Sequence, residues 1–350
     1  MTARFLPEAF GNAELLAPLR SVFTQLCAQG PLKVAVGLSG GADSAMLAVH
    51  AALLGRQYPD FELHCFHIHH GLQETADGWQ SHVHRLAMGL GLPCHSLRVR
   101  VDVASGKGVE GAARDARYQG LKALAGRTGV THLLLAHHLG DQSETVLMRL
   151  LRGSGPTGLA AMAPISRRDG LAYVRPWLDV ERGIILEAAR QYAELTGWEA
   201  VDDPTNVDDT YTRGAVRRRL VPQLDARWPA WRKILGRHAS QAQALAGLLD
   251  EVAAEDLARL EPCAAATSFS LQAWRGLSSY RQTLVLRHWL ALHGLRAPTE
   301  ARMREWCRQL RGLHALGHDR NMTLRHEAHV IQCERGRVRL LRPGDAGETR

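Results

Sequence analysis

Between Lys33 and Leu53 the chain reads KVAVGLSGGADSAMLAVHAAL. Val34 to Leu38 are mostly apolar, a glycine pair follows, and an Ala/Leu/Met-rich run closes the segment. That order predicts a buried strand, a tight turn and a helix. The same alternation continues, with strands predicted at Glu62–His69, Cys94–Val101 and His132–His137. Helical patterns lie between them at Asp43–Arg56, Ala76–Leu90 and Val109–Gly126. A fifth strand, Leu171–Arg175, ends at Pro176 and leads into a helical pattern at Asp179–Thr196. Strands separated by helices of this length pair in parallel and need cover on both faces.

The expected fold class is therefore α/β, a Rossmann-like parallel sheet with helices on both faces. From about Pro229 the pattern changes to a long Ala/Leu-rich helix reaching Leu260. Shorter helices follow near Ser278–His293 and Thr299–Arg311, then short antiparallel strands at Met322–Arg325, Ala328–Glu334 and Val338–Leu341. We expect a catalytic domain over residues 1–220 and a helical linker, arginine-rich at its start, over 221–265. A small α+β domain is expected over 266–345. At 350 residues and 45% hydrophobic content the chain can bury such cores. No run approaches the roughly 18 apolar residues of a membrane span, and the N-terminus lacks the pattern of a signal peptide. A cytoplasmic protein is expected. The six cysteines are scattered without a CxxC pair, which argues for reduced, mostly buried thiols rather than a zinc or iron–sulfur cradle.

Ligands of open α/β sheets sit beyond the carboxyl ends of the strands. The turn Ser39-Gly40-Gly41-Ala42-Asp43-Ser44 is placed there. Its glycines let backbone N–H groups approach an anion, and the helix N-terminus adds partial positive charge. Asp43 would repel phosphate unless it caps the helix or holds a Mg²⁺ that phosphate also binds. The turn is neither a Walker A loop nor a GxGxxG fingerprint, and a plain glycine turn before a capped helix is the bland alternative.

Four further stretches carry polar chemistry: His67-Ile68-His69-His70-Gly71-Leu72, Glu110 to Tyr118, Ala136-His137-His138-Leu139-Gly140-Asp141-Gln142-Ser143-Glu144-Thr145, and Asp203-Pro204-Thr205-Asn206 with Tyr211-Thr212-Arg213 and Arg217-Arg218-Arg219. The SGGxDS turn resembles the pyrophosphate loop of the N-type ATP pyrophosphatases. With the other stretches, in this order, the chain resembles the tRNA(Ile)-lysidine synthase family, strongly over the first ~220 residues and more weakly over Arg281–Leu341. The resemblance implies adenylation of the wobble cytidine of an isoleucine tRNA with a CAU anticodon. Displacement of AMP by free L-lysine follows. ATP and Mg²⁺ are implied cofactors, with Ser39, Gly40, Gly41, Ala42, Asp43 and Ser44 on ATP and Asp43 on the metal. Two departures from the family pattern are Ala136 for a glycine and Gly140 for an aspartate, leaving Asp141 to carry that carboxylate role. Longer members also have a second C-terminal domain, which is not expected in the few residues after Leu341.

The residues themselves bear on the chemistry. Arg114 and Arg117, three apart on a helix, could meet phosphate or the adenylated base. Asp141 and Glu144 share that spacing and could orient the lysine ammonium, share the metal or accept a proton; a capping box is the structural alternative. With Arg114, these form the expected catalytic set. HxHH on a strand points to alternating faces and suits a metal cluster poorly, so His70 is expected at the substrate instead. The segment Tyr211–Arg237 carries eight basic residues against Asp225, with Tyr211, Trp228 and Trp231 interleaved. Arg117, Arg213, Arg217, Arg218 and Arg219 are accordingly expected to contact tRNA, a reading the overall +8 charge supports. A homodimer is the expected assembly. A tRNA thiolase, a small-molecule amidating ligase and a non-enzymatic RNA-binding protein are the rival readings.

Overall fold

The computed structural model describes residues 10–28, 30–71, 76–102, 104, 108–201, 212–313 and 322–342. The expected motif Asp203-Pro204-Thr205-Asn206, together with Leu72 and Tyr211, lies outside these. The chain divides into two units, Met1–Gln243 and Ala244–Arg350.

The first unit opens with α1 (Ala13–Cys27), which the sequence reading did not anticipate. Asn12 caps it, its side-chain oxygen accepting from the N–H groups of Glu14 and Leu15. Then come β1 (Leu32–Gly37), α2 (Ala42–Gly55), β2 (Phe61–His69), α3 (Ala76–Leu90), β3 (Cys94–Arg98), α4 (Gly108–Thr128), β4 (His132–Leu134) and α5 (Leu139–Leu151). The short α6 (Pro156–Leu159), β5 (Ile165–Arg168), β6 (Leu171–Val174) and α7 (Arg182–Thr196) follow. Strand order is β3-β2-β1-β4-β6-β5. All neighbours pair in parallel except β5 and β6. The wholly parallel sheet of the sequence reading is thus corrected at one edge. β5 escaped notice because Ser-Arg-Arg on an exposed edge carries no apolar alternation.

Period-two alternation distributes the core. Val34 and Val36 face a layer with Leu15, Phe23, Met46, Leu86 and Trp177. Ala35 faces the other way, toward Phe66, Tyr118, Leu121 and Tyr173. A strand buried on both faces reads as a continuous apolar run, which is why β1 was legible. β4 is shorter than expected because the backbone leaves the ladder after Leu135, whose N–H still donates to Val174 O at 2.8 Å. The order reverses between β1 and β4: from β1 the chain builds β2 and β3 to one side, then crosses to β4 on the other. That switch point is where an open α/β sheet leaves a crevice for a ligand.

Beyond α7, α8 (Thr212–Ala215) runs into a π-helical turn, Val216–Leu220, and on into α9 (Val221–Arg227) and the long α10 (Trp231–Arg259). The boundary between the units falls within α10.

The second unit contains β7 (Ser268–Ser270), α11 (Leu271–Arg275), α12 (Ser279–Leu292), α13 (Glu300–Gly312), β8 (Met322–His326), β9 (His329–Glu334) and β10 (Arg337–Leu341). Its antiparallel sheet runs β7-β10-β9-β8. Trp274, Trp289 and Trp306 pack with Phe269, Ile331 and Val338 as its core. The expected α+β architecture is present, with β7 and α11 as unexpected additions.

Candidate active site

The two segments flanking the switch point build the site. β1 ends in Leu38 and turns through Ser39–Ser44. Gly40 takes φ +98°, a conformation that strains any L side chain, although a Cβ there would meet Val83 and Val201 only at ordinary contact distance. The Val201 N–H donates to Gly40 O at 2.9 Å and ties the turn to the chain beyond α7. Ser44 Oγ accepts from the Ser39 N–H at 3.1 Å, donates to Gly41 O at 3.0 Å and lies 3.0 Å from Ser39 Oγ. Gly41 is the N-cap of α2 and supplies no side-chain cap. The first N–H groups of α2 are therefore left to an external acceptor.

From the other side of the switch point, α5 begins at His138. His138 Nδ1 accepts from the Gly140 N–H at 3.0 Å, and Asp141 Oδ2 accepts from the His138 N–H at 3.3 Å. A capping box is present but in another register than expected: His138, not Asp141, is the N-cap, Asp141 is the third helical residue that closes the box, and Glu144 has no part in it. His138 Nε2 lies 3.5 Å from Asp141 Oδ2 and 4.0 Å from Asp43 Oδ2. One buried ring therefore joins the glycine turn to the carboxylates of α5.

Asp141 and Glu144 are clamped by arginines from the segment before α10. Arg217 Nε donates to Glu144 Oε1 at 2.8 Å and Nη2 to Asp141 Oδ1 at 3.1 Å. Arg213 Nη2 donates to Thr145 Oγ1 at 2.9 Å, and its Nε stands 3.5 Å from Glu144 Oε2. Burial pushes the Asp141 carboxyl up, yet His138, His137, Arg213 and Arg217 together hold it below its ordinary value. Burial works against the Arg217 charge, but the bond to Glu144 and the nearby acids leave it raised.

Asp43 is paired with Arg182, the first residue of α7. Both its oxygens lie 3.4 Å from the guanidinium. Arg182 was not expected at the site, and His138, although part of an expected stretch, had no place in the expected catalytic set. A signal for each existed: a histidine at a helix start with an acid three residues on, and a cation in the first turn of a helix, where the dipole disfavours it. Their common partner Asp43 lies far away in sequence from both, so those pairings gave no signal.

Other expected residues are near. Arg117 lies within electrostatic reach of Asp141, Arg213 and His70. Arg114 and Arg117 bracket the Tyr118 ring at 5.4 and 5.9 Å, joined by Arg168 at 5.0 Å. Burial, with help from Arg117, lowers His70 to about 4, and its Nδ1 has no hydrogen-bond partner. His137, buried beside the same cations, is likewise lowered and likewise has an unpartnered Nδ1. His67 instead bonds Leu38 O at 2.9 Å and steadies the end of β1, and His69 bonds Asp77 at 2.8 Å. Among the described residues no group of three or more His, Cys, Asp or Glu could hold a metal by itself.

The basic segment divides. Arg213 and Arg217 point at the carboxylates, Arg232 pairs with Asp225, and Lys233 pairs with Glu181 at 2.7 Å. Arg218, Arg219, Arg227 and Arg237 are exposed. Trp231 is buried with its Nε1–H donating to Asp225, so among the described residues of the segment Trp228 is the exposed aromatic.

Residues 15–224 match the family model described as a PP-loop domain, and residues 269–339 match the TilS substrate binding domain. The chain is 56% identical over 308 residues to a tRNA(Ile)-lysidine synthase of Bordetella pertussis, covering 88% of this chain and 95% of that protein. It is 46% identical over 286 residues to a tRNA(Ile)-lysidine synthase of Ralstonia nicotianae, covering 81% of this chain and 60% of that longer protein. Among solved structures, the U34-tRNA thiolase NcsA from Methanococcus maripaludis with its [4Fe-4S] cluster superposes with a TM-score of 0.53 at 16% identity. That match covers 65% of this chain and 78% of the thiolase, and the likeness is one of fold alone. The six cysteines here are free, and none lies in the two segments that build the site.

Proposed function

We propose a residue-level course of reaction from the premise that this chain belongs to the tRNA(Ile)-lysidine synthase family, ATP-dependent ligases that form lysidine on an isoleucine tRNA. The observation that carries it is His138, whose Nε2 lies 3.5 Å from Asp141 and 4.0 Å from Asp43. Nucleotide turn and carboxylates thereby form one site.

ATP binds with its β- and γ-phosphates on the N–H groups of Gly40–Ser44 and the N-terminus of α2, the Ser39 hydroxyl donating and Ser44 holding the turn in shape. The C2 oxygen of the wobble cytidine in the CAU anticodon attacks the α-phosphorus, and pyrophosphate leaves, held by the turn. The amine of free L-lysine then attacks C2, and AMP leaves. Asp141 and Glu144 orient the ammonium and take its proton as the C–N bond forms. Arg217 holds the two carboxylates at a fixed separation. Arg114, Arg117 and His70 face the adenylated base and its phosphate. Asp43 fits a Mg²⁺: it is the one acid of the turn, its side chain is 27% exposed, and its contacts are long at 3.4 Å or more. One carboxylate plus phosphate oxygens is the usual donor set for that ion, which when bound would offset charge on the pyrophosphate.

Arg218 and Arg219 track the tRNA backbone, and the domain at 266–345 reads the body of the tRNA beyond the 221–265 linker. The reaction belongs in the cytoplasm, where ATP, lysine and tRNA meet, with a homodimer as the working assembly. No described helix is long and apolar enough to cross a membrane. The test is incubation with ATP, Mg²⁺, a CAU-anticodon isoleucine tRNA and labelled lysine. Label in the RNA, with AMP and pyrophosphate released in equal amounts, is the expected result; no label at any ATP concentration would overturn the reading.

A further inference from the structure

The turn Leu38–Ser44 carries no basic side chain, unlike a Walker A loop with its lysine. Backbone N–H groups and a helix dipole contribute only partial charges, so a polyanionic leaving group gains from a side-chain cation in addition to a Mg²⁺ on Asp43. Arg213 and Arg217 are engaged with Thr145, Glu144 and Asp141. The guanidinium that faces the turn itself is that of Arg182.

Three features mark Arg182 as more than a structural partner of Asp43. It occupies the first turn of α7, where the macrodipole disfavours a cation and no acid shares the turn. Its contacts with Asp43 are both 3.4 Å, against the roughly 2.7–2.9 Å of a charge-assisted bond drawn tight. Its side chain is 53% exposed, so solvent screens the pair and the head can turn. The backbone that carries it is nonetheless well fixed. Trp177 is fully buried with its Nε1–H donating to Leu15 O at 3.0 Å, and the Leu139 N–H donates to Val180 O at 3.0 Å. A movable head on a fixed stem, beside a phosphate-binding turn, is a phosphate clamp.

We propose that Arg182 is a further ATP-binding residue, which turns from Asp43 to the pyrophosphate oxygens of the bound nucleotide. This rests on the reading of Ser39–Ser44 as the ATP turn. No bond to Arg182 is made or broken; it contributes charge and a planar pair of donors matched to phosphate.

The test is ATP titration by calorimetry on the full chain, with and without Mg²⁺, for wild type, Arg182→Ala and Arg182→Lys. ATP–pyrophosphate exchange in the presence of tRNA is measured on the same preparations. Arg182→Ala is expected to raise the ATP Kd, with and without Mg²⁺, and the KM by about tenfold or more, with tRNA affinity unchanged. Arg182→Lys should fall between, because an ammonium supplies charge without the fork. In an Asp43→Asn background, Arg182→Ala should still weaken ATP binding. If it adds nothing there, Arg182 acts only through Asp43 and the proposal is wrong. Equal ATP affinity in wild type and Arg182→Ala would also overturn it. A wild-type chain that binds no ATP would instead remove the underlying reading, and this proposal with it.

Discussion

At Gly140 a Cβ would come within 2.8 Å of His138 Cε1 and 3.0 Å of its Nδ1. The missing side chain, which the sequence showed only as a departure from a family pattern, is what lets the imidazole fold back as a cap. Gly140→Ala gains up to about 1 kcal/mol of helix propensity and loses about as much in capping. We predict an almost unchanged thermal midpoint and a fall in lysidine formation of about tenfold, since the ring leaves its place between Asp43 and Asp141. Asp141→Asn is predicted to behave differently from what capping alone implies. Asparagine can still accept from the His138 N–H, but the charge facing Arg217 and His138 is lost, so stability falls by about 1 kcal/mol while turnover falls much further. Both variants are checked by melting and lysine incorporation on one preparation; wild-type turnover by either would remove its residue from the chemistry. Ser39–Ser44 and His137–Glu144 were legible because each is a contiguous run at a strand end. Arg217 and Arg182 were not legible in their roles, because they meet Asp141 and Asp43 across 76 and 139 positions, respectively.

The segment Thr212–Leu220 shows the same limit at the level of an element. Its arginines were expected as a single tRNA-facing set, and in sequence they are one basic run. Folding sorts them: Arg213 and Arg217, four apart, turn inward, whereas Arg218 and Arg219 on the π-helical turn are exposed. π-helical turns recur at functional sites. The sorting predicts different phenotypes for neighbours. Arg218→Glu with Arg219→Glu should weaken tRNA binding and lower its log–log salt slope by about 0.7–0.9 per lost phosphate contact, with turnover recovered at saturating tRNA. Arg217→Glu should abolish turnover at any tRNA concentration, because it sets a third carboxylate against Asp141 and Glu144. Filter binding over a salt series and single-turnover kinetics separate the two. Among the strands, β1 and β2 were legible from their apolar runs. β5, β7 and α1 were not, being a polar edge strand, a three-residue strand and a helix interrupted in sequence by Pro18.

Over the whole molecule, buried histidines set an acid limit. His50 is completely buried, bonding Met46 O and accepting from the Asn12 N–H, and burial lowers it to about 4. His67, His70 and His137 are lowered for the same first reason. An unfolded histidine takes its proton near pH 6.5, so between there and pH 4 the unfolded chain binds more protons than the folded one. Stability is therefore lost as pH falls through that window, by about 2 kcal/mol for His50 alone at pH 5. Thermal midpoints from pH 8 to 5 should fall accordingly, and His50→Gln should flatten the fall. A parallel fall in that variant would mean His50 takes no part.

The chain order of the site has a consequence for its synthesis. The parallel strands through β6 and all three acids, Asp43, Asp141 and Glu144, are made before Arg182, Arg213 and Arg217. A nascent chain emerging from the ribosome can close its central sheet with those carboxylates still lacking their arginine counter-charges. In the order of synthesis the central sheet of the N-terminal unit thus comes before its electrostatic balance. A ribosome stalled with Val174 just clear of its exit tunnel would present the strands through β6 while Arg182, Arg213 and Arg217 had yet to emerge.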